Sequence, residues 1–341
     1  MNINEQLLDL LLKRDLLLQR VSNGLSKEVA LYYSDLINQA INTIKDYDEI
    51  TIVKMNKLIK EINSRIEFNY EEQLSNKFQE LGVVEATYIP TAINGLIGVN
   101  IVDKLLPEPL IQSIINNSYL ADGLTIAESF EKLNDNLKNT FQSQIRLSVL
   151  NGDTNQQIIK TLKPILNEFT TNKIDSLVKT AVSTVANNTR MEIYSENSDI
   201  FKGYQHQSVM DSRVTLQCAV VDGAFYDLNF KGINEKGKQH PYKPVPRHFR
   251  CRSIILPILK TFRELGVDLD EVTGLTRSSI DGELPRDVTF DKFFERQSKK
   301  FQEEYLGSQR YQMYKQGKIT LSDLVNQQGK TLTLEQLRNL S

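Results

Sequence analysis

The sequence has no tryptophan and only two cysteines and three histidines among its 341 residues. Two cysteines are too few for a disulfide scaffold, which favours synthesis in a reducing cytoplasm. The N-terminal segment has no cationic stretch followed by an apolar run and a small-residue cleavage site, so no signal peptide is predicted. The longest uncharged stretch, residues 86–102, is shorter than the roughly 20 apolar residues of a membrane span. No membrane partner is therefore expected.

Charge is balanced over the whole chain but not within one segment. The 41 Lys and Arg residues against 43 Asp and Glu residues indicate neither a nucleic-acid coat nor an acidic tail. Between Lys231 and Arg252, in contrast, seven cations accompany one anion, Glu235. All histidine and cysteine side chains lie in or near this basic segment, namely His206, Cys218, His240, His248 and Cys251. Any thiolate, imidazole or zinc chemistry must therefore involve residues 206–251.

Helical periodicity dominates the first two hundred residues. Apolar spacings of three and four over residues 4–80, which include Leu31, predict three helices, with a helix end at Gly24 and a turn at residues 46–49. Three prolines within residues 89–122 indicate a boundary or an extended connector. The run from Asn151 to Thr154 is typical of one helix ending and another beginning, with a capping box to Gln157. These patterns predict an N-terminal helical bundle.

A change to alternating polar and apolar residues at Phe201 predicts a strand. Residues 224–228 and 253–259 are predicted as two strands paired with each other. The segment around Cys218 is predicted as a short helix ending at Gly223, and a tight hairpin turning on Asp222-Gly223 is the alternative. A small antiparallel sheet is expected beside the basic segment.

The predicted fold class is α+β, mainly α-helical. It comprises an N-terminal helical region, a compact α+β module with a small antiparallel sheet, and a C-terminal helical extension. The predicted divisions are a helical hairpin or bundle at 1–88, a connector with helices at 89–139, the module at 140–260, a linker at 261–288 and the extension at 289–341. In the extension, Thr289 and Thr320 are predicted as helix N-caps, and Thr333 with Gln336 as a capping box.

One ordered set of residues carries a family resemblance. The set comprises Asp211, Arg213, Thr215, Cys218, Asp222, Gly223, Pro246, His248, Cys251 and Arg252. This pattern resembles the bacteriophage Mu F-like minor head proteins, also called phage head morphogenesis proteins, over roughly residues 140–258. The C-terminal extension is similar to that of many such proteins. Ser253 stands where the family often has a third cysteine, so a four-cysteine site is excluded.

The resemblance implies a structural minor head protein of a tailed bacteriophage. Such a protein would be made in the host cytoplasm, join the procapsid through the portal protein, and contact the major capsid and scaffolding proteins. It would reside in the head interior at the portal vertex. There it would contact packaged double-stranded DNA without sequence preference and take part in genome delivery.

The thiols and imidazoles of residues 206–251 suggest a structural zinc site. His248-x-x-Cys251 places two donors on one turn, and Cys218 can be brought to them by strand pairing. The fourth ligand is predicted as His240, with His206 or Asp222 as alternatives. The competing interpretation is that both cysteines are small buried hydrophobes and that His248 bonds a backbone carbonyl.

The cations of the basic segment suggest a DNA contact that neutralises phosphates. The predicted nucleic-acid-binding residues are Lys231, Lys236, Lys238, Lys243, Arg247 and Arg250. The alternative is that the arginines pair with Asp211, Asp222 and Asp227 and brace the module. A structural role is predicted for Asp211, Arg213, Thr215, Asp222, Gly223, Pro246 and Arg252.

Two other functions compete with the head-protein prediction. A metal-dependent nuclease could use His206, Asn229 and His248, although no carboxylate pair is clustered to hold magnesium. A cytosolic zinc-containing module that binds nucleic acid is the third possibility. No catalytic residue is predicted, and the chain is not expected to be an enzyme.

Overall fold

The computed structural model describes residues 3–67, 71–261, 263–264, 276–279, 282–285, 288–326 and 328–340. The described chain is mainly helical with a small three-stranded antiparallel sheet, which confirms the predicted fold class. The helices before the sheet are α1 (Ile3–Lys45), α2 (Ile52–Arg65), α3 (Glu71–Ile97), α4 (Glu108–Asn116), α5 (Ile126–Leu150), α6 (Asn155–Glu168) and α7 (Asp175–Glu196). No helix in these ranges has the length and apolarity needed to cross a bilayer.

The sheet region and the extension contain shorter elements. The strands are β1 (Phe201–Gln207), β2 (Phe225–Tyr226), β3 (Ile254–Leu259), β4 (Thr276–Ser279) and β5 (Gly282–Pro285). The short helices are α8 (Leu216–Ala219), α9 (Glu235–Gln239), α10 (Phe290–Arg296), α11 (Lys299–Leu306), α12 (Ser308–Lys315) and α13 (Leu334–Arg338). Strands β4 and β5 form a separate hairpin. Most of the rest of the predicted linker at 261–288 lies outside the described residues.

The first helix does not end at Gly24, so that prediction was wrong. A helical glycine costs about 1 kcal/mol relative to alanine, but Leu25 and Val29 beyond it are buried and continue the apolar face of α1. Tertiary packing therefore outweighs the local signal. The predicted turn after this helix is present, and Thr51 caps α2 through the backbone N–H of Lys54.

Pro90 does not mark a boundary either, because it lies inside α3. Ile89 and Ile93 are fully buried on the face of α3 that packs in the core, and this burial offsets the lost backbone hydrogen bond. The extended connector accordingly begins after residue 98 rather than at residue 89. The capping box between Thr154 and Gln157 is confirmed.

The sheet has the strand order β2-β1-β3, so β1 separates the two segments that were predicted to pair with each other. Tyr204 of β1 lies opposite Tyr226 on one side and Pro257 on the other. A side chain at Gly203 would place its Cβ 2.1 Å from the carbonyl oxygen of Tyr226, so only glycine permits this approach. The central position of β1 was missed because local sequence patterns predict strands but do not specify which strands are neighbours in a sheet.

Two clusters of buried apolar residues hold the described chain together. The first combines helices α1 to α7 with residues of β1 and β3. The second combines residues 210–226 and Cys251 with residues 288–337, so the C-terminal extension packs directly on the cysteine-bearing segment. Phe290, Phe293 and Phe294 are the largest buried side chains that the extension contributes. The predicted domain divisions stay a prediction.

A buried group of charges joins three helices of the first cluster. Glu85 of α3 is fully buried and accepts hydrogen bonds from Arg14 Nε at 2.6 Å and Arg190 Nε at 2.9 Å. Arg190 of α7 is only 2% exposed, and its Nη1 lies 3.9 Å from Asp15 of α1. Because Arg190 is hydrogen-bonded to Glu85 while Asp15 lies beyond hydrogen-bond distance, Glu85 is the main counter-charge for Arg190.

Candidate functional site

The two cysteines and one histidine meet where α8 packs against the start of β3. Cys218 lies on α8, which begins after Thr215, and Cys251 lies three residues before β3. Ser208, just after β1, fixes this approach because its hydroxyl donates to the carbonyl oxygen of Cys218 at 2.8 Å and lies 3.4 Å from Ser253 Oγ. We call Cys218, His248 and Cys251 the Cys-His-Cys centre.

The centre is compact and buried. The sulfurs of Cys218 and Cys251 are 3.6 Å apart, and Cys218 Sγ is 3.3 Å from His248 Nε2. The three donor atoms all lie within 4.8 Å of one another, and both cysteines are buried while His248 is half-buried. Within the described residues this is the only such group of three or more His, Cys, Asp or Glu donors. Cys218 lies beside His248 and Cys251 as predicted, but the predicted pairing of residues 224–228 with 253–259 does not bring it there, because β1 separates those strands.

The imidazole of His248 is oriented by two neighbours. Its Nδ1 lies 2.8 Å from the carbonyl oxygen of Phe249, and its Nε2 lies 2.8 Å from Thr215 Oγ1. A proton on Nδ1 donated to that carbonyl leaves the Nε2 lone pair directed towards the sulfurs, as in metal-binding histidines. Arg250 adopts a left-handed φ of 59° beside this carbonyl, and its backbone N–H donates to Thr180 Oγ1.

The pKa values of the two thiols in the centre are shifted in opposite directions. The hydrogen bond with Cys218, reinforced by His248 and opposed by burial, lowers the pKa of Cys251 well below its ordinary value. The same hydrogen bond and burial raise the pKa of Cys218. Burial opposes protonation of His248, yet the neighbouring Cys251 and the Phe249 carbonyl raise its pKa. One sulfur is therefore already favoured as a thiolate, the form that binds metals.

The predicted fourth ligands do not lie in the centre. His240 packs at the seam with the extension, where its carbonyl oxygen accepts from the Tyr226 hydroxyl at 2.8 Å. Burial and the nearby Lys236 and Arg247 lower the pKa of His240. His206 is buried on β1 and is not part of the donor group. Asp222 is fully buried and accepts from the backbone N–H groups of Ser208 and Phe290.

Asp222 therefore joins the module to the extension instead of binding a metal. Its Oδ1 accepts from Ser208 at 2.7 Å, and its Oδ2 accepts from Phe290, the first residue of α10, at 2.8 Å. Gly223 follows with a φ of 80° and returns the chain to β1 through its N–H bond to the carbonyl oxygen of His206. The segment around Cys218 therefore forms the predicted short helix rather than the alternative hairpin, and the chain continues from Gly223 into β2.

The remaining motif residues brace the loop that carries His248 and Cys251. Arg252 makes a two-pronged contact with Asp211, at 2.7 and 2.8 Å, and Arg213 lies 3.3 Å from the same carboxylate. Pro246 follows a cis peptide bond with Val245, and both residues are buried. Burial disfavours the charge of Asp211, but the hydrogen bonds from Arg252 and Arg213 prevail and lower its pKa to about 2.

Replacement of this carboxylate should change the acid stability of the protein. The folded-state pKa of Asp211 lies below the ordinary 3.8, so the ion pair stabilises the fold above about pH 4 and stops doing so as the pH falls through 2. Asp211→Asn should lower the free energy of unfolding at pH 7, and the difference from wild type should shrink towards pH 2. Urea unfolding at several pH values would measure this, with Asp9→Asn, whose side chain is 43% exposed, as the control. A pH-independent difference would contradict the prediction.

The predicted DNA-binding cations are not all available to a ligand. Arg250 Nη2 contacts Asp175 at 2.9 Å and the carbonyl oxygen of Asn172 at 3.0 Å. Lys236 pairs with Asp291, and Lys243 donates to the carbonyl oxygen of Gln328. Arg247 is half-buried, with a buried Nε that has no hydrogen-bond partner within the described ranges. Lys231 and Lys238 are exposed on the loop around α9.

The bracing interpretation therefore receives direct support for some arginines. Arg252 pairs with Asp211 as proposed, whereas Arg250 pairs with Asp175 of α7, which the sequence did not indicate. Asp227 instead holds its own turn by accepting from the N–H groups of Asn229 and Lys231. Asn229 is thus part of a surface turn, and the donor group containing His248 includes neither it nor His206.

Comparison with protein-family models matches residues 139–256 to the family described as phage Mu protein F like protein. The match confirms the predicted resemblance over nearly the predicted bounds. It includes Asp211, Asp222, Arg252 and all three residues of the Cys-His-Cys centre. Searches of curated proteins and of solved structures found no match.

Proposed function

We propose, from the premise that residues 139–256 form a phage Mu protein F-like region, that the chain is a structural head morphogenesis protein of a tailed bacteriophage. One observation supports this most directly. The matched motif residues converge on a buried, braced centre, which is the arrangement of a structural support rather than of an open catalytic cleft. The family match alone carries the assignment to a phage head.

The proposed location is the interior of the head at the portal vertex, in contact with the portal protein and with the major capsid or scaffolding proteins. The chain would enter the procapsid during assembly in the host cytoplasm and remain with the packaged genome until delivery. Support comes from the same family resemblance, since the described surfaces identify no particular partner.

We also propose that the Cys-His-Cys centre holds a structural zinc ion. Zinc with thiolate and imidazole ligands in a tetrahedron places two sulfurs about 3.8 Å apart and a sulfur and a nitrogen about 3.6 Å apart. The corresponding distances are 3.6 Å for the two sulfurs and 3.3 Å for Cys218 Sγ and His248 Nε2. Thr215 Oγ1, which lies 2.8 Å from that nitrogen, or a water molecule would supply the fourth donor. Bound zinc would join α8 to the segment before β3.

The proposed DNA contact rests on the exposed cations of the loop around α9. Lys231 and Lys238 project from a turn that Asp227 and Asn234 hold rigidly through backbone hydrogen bonds. Contacts of this kind neutralise phosphates and are sensitive to salt but not to sequence. Arg250 and Lys236 each pair with a carboxylate of the chain itself, so the contact involves few phosphates.

The salt dependence of DNA binding tests this contact. Each phosphate contact contributes about 0.9 to the slope of log affinity against log salt. The double variant Lys231→Ala and Lys238→Ala should therefore reduce the slope by as much as about 2. Fluorescence anisotropy with a labelled duplex at several salt concentrations would measure it. Lys299→Ala with Lys300→Ala removes the same charge from exposed positions of α11 and serves as the control. Equal slopes for both double variants would refute the contact.

Quantitative mass spectrometry of purified phage particles tests the head-protein function. We expect the chain in full particles at a few copies per portal, and comparison with particles that have released their DNA would show whether it leaves with the genome. Absence from particles would refute the function. Cleavage of DNA by the purified chain with magnesium or zinc, lost in His248→Ala, would favour the nuclease instead.

A further inference from the structure

The two sulfurs of the centre are also placed for a reaction that does not involve a metal. Cys218 and Cys251 are free thiols, and their sulfurs are 3.6 Å apart. A disulfide bond is about 2.05 Å long, so the sulfurs would have to approach by roughly 1.5 Å. Ser208 already holds together the two segments that carry them. We propose that Cys218 and Cys251 form an intrachain disulfide when the metal-free centre meets a peroxide.

The two thiols differ in their access from solvent. A cavity of about 420 Å³ lies between α1, α7 and residues 250–252, and Cys251 lines it whereas Cys218 does not. Cys251 is 5% exposed and Cys218 is 1% exposed. A molecule as small as hydrogen peroxide would therefore reach Cys251 first. Cys218 lies behind it, at the distance at which a second thiol resolves an oxidised first one.

The reaction needs only peroxide as the oxidant. The Cys251 sulfur attacks one peroxide oxygen and breaks the O–O bond, which gives a sulfenic acid and a hydroxide that takes the thiol proton as water. The Cys218 sulfur then attacks the sulfenic sulfur, the S–S bond forms, and the departing hydroxide leaves as water with the second thiol proton. Two thiols are oxidised, one peroxide is reduced, and two water molecules are released.

A bound metal and the disulfide exclude each other because both use the same sulfur electron pairs. Oxidation would therefore be confined to chains that have not taken up metal. If the chain is a head protein, as proposed above, the reducing cytoplasm would keep the thiols free during assembly, and oxidation would follow release of particles. The bond would close a loop between two residues 33 positions apart and join α8 covalently to the segment before β3.

The full chain, freed of metal and reduced, is treated with hydrogen peroxide, and the remaining thiols are alkylated under denaturing conditions. We expect the mass of two hydrogens to be lost, no alkylation of either cysteine, and a proteolytic fragment linking Cys218 to Cys251. Reductant should reverse all three changes. Two alkylated cysteines, a stable oxygen adduct in the wild type, or a disulfide between chains would each overturn the proposal.

Single variants test the order of attack. Cys218→Ser should accumulate a sulfenic acid at Cys251 that dimedone traps, whereas Cys251→Ser should remain unmodified during the same exposure. Equal oxidation of both variants would overturn the order, and the wild-type mass measurement does not depend on either variant folding. A parallel sample with zinc separates the proposals: failure to bind zinc leaves the disulfide result intact, and failure to form the disulfide leaves zinc binding intact. Neither result bears on the presence of the chain in particles.

Discussion

Zinc added to the reduced, metal-free protein should bind at one site per chain and raise the melting temperature by roughly 5 °C or more. A ligand that binds only the folded state stabilises it by about 2.7 kcal/mol when its free concentration is a hundred times its dissociation constant. A change of 1 kcal/mol moves the melting temperature by roughly 2 to 4 °C in proteins of moderate size. Elemental analysis and calorimetry would measure the binding and the shift.

The ligand variants make this prediction specific to the Cys-His-Cys centre. Cys251→Ser should abolish the response to zinc and lower the stability of the zinc-loaded chain by the whole binding contribution. His240→Ala should leave the response unchanged, because His240 lies outside the donor group. A reduced, metal-free protein that binds no zinc and melts identically with and without added zinc would reject the metal site. The buried-thiol interpretation would then account for both cysteines.

Glu85→Gln should lower the free energy of unfolding by roughly 3 to 5 kcal/mol, because it leaves the Arg190 guanidinium buried without its main counter-charge. Arg190 is 2% exposed and Glu85 is fully buried, so water cannot replace the missing carboxylate. The nearby Asp15 is a weaker partner, since its carboxylate oxygen lies 3.9 Å from Arg190 Nη1, beyond hydrogen-bond distance. Urea unfolding would measure the difference.

An exposed ion pair on the same chain provides the control. Glu304→Gln removes the partner of Lys300, whose side chain is 85% exposed, and should change stability by less than about 1 kcal/mol. Arg190→Met combined with Glu85→Gln should recover part of the loss, because the fully buried charge of Arg190 is removed and only Arg14, which is 13% exposed, still lacks its partner. A small effect of Glu85→Gln alone would show that α1, α3 and α7 are held by apolar packing.

Local sequence patterns predicted those features of the fold that depend on hydrogen bonds between residues close in the chain. The capping boxes at Thr154 and Thr333 depend on a side chain and a backbone group three positions apart, and both are present. Thr289 and Thr320 were predicted as caps on similar grounds. Thr289 makes no capping bond, and the N–H group of Phe290 that follows it donates to Asp222 instead. Thr320 lies just before a short 3-10 turn, and its hydroxyl donates to the carboxylate of Asp323.

Long-range contacts defeated the local signals elsewhere. Gly24 and Pro90 are helix breakers by composition, but each lies in a long helix because the residues around it are buried against other helices. Leu31 was predicted on an apolar helix face and is 68% exposed. A side chain of this kind can be assigned to a core only when the neighbouring elements are in place.

The sequence by itself determined the mainly helical class, the family resemblance over roughly residues 140–258, and the three residues able to form a thiolate and imidazole centre, because each depends on residue type and spacing. The tertiary structure alone decided that His240 lies apart from them, that Arg250 pairs with Asp175, and that the C-terminal extension covers the cysteines. These outcomes depend on contacts between residues distant in the chain, and such contacts follow from how whole elements pack rather than from any local pattern.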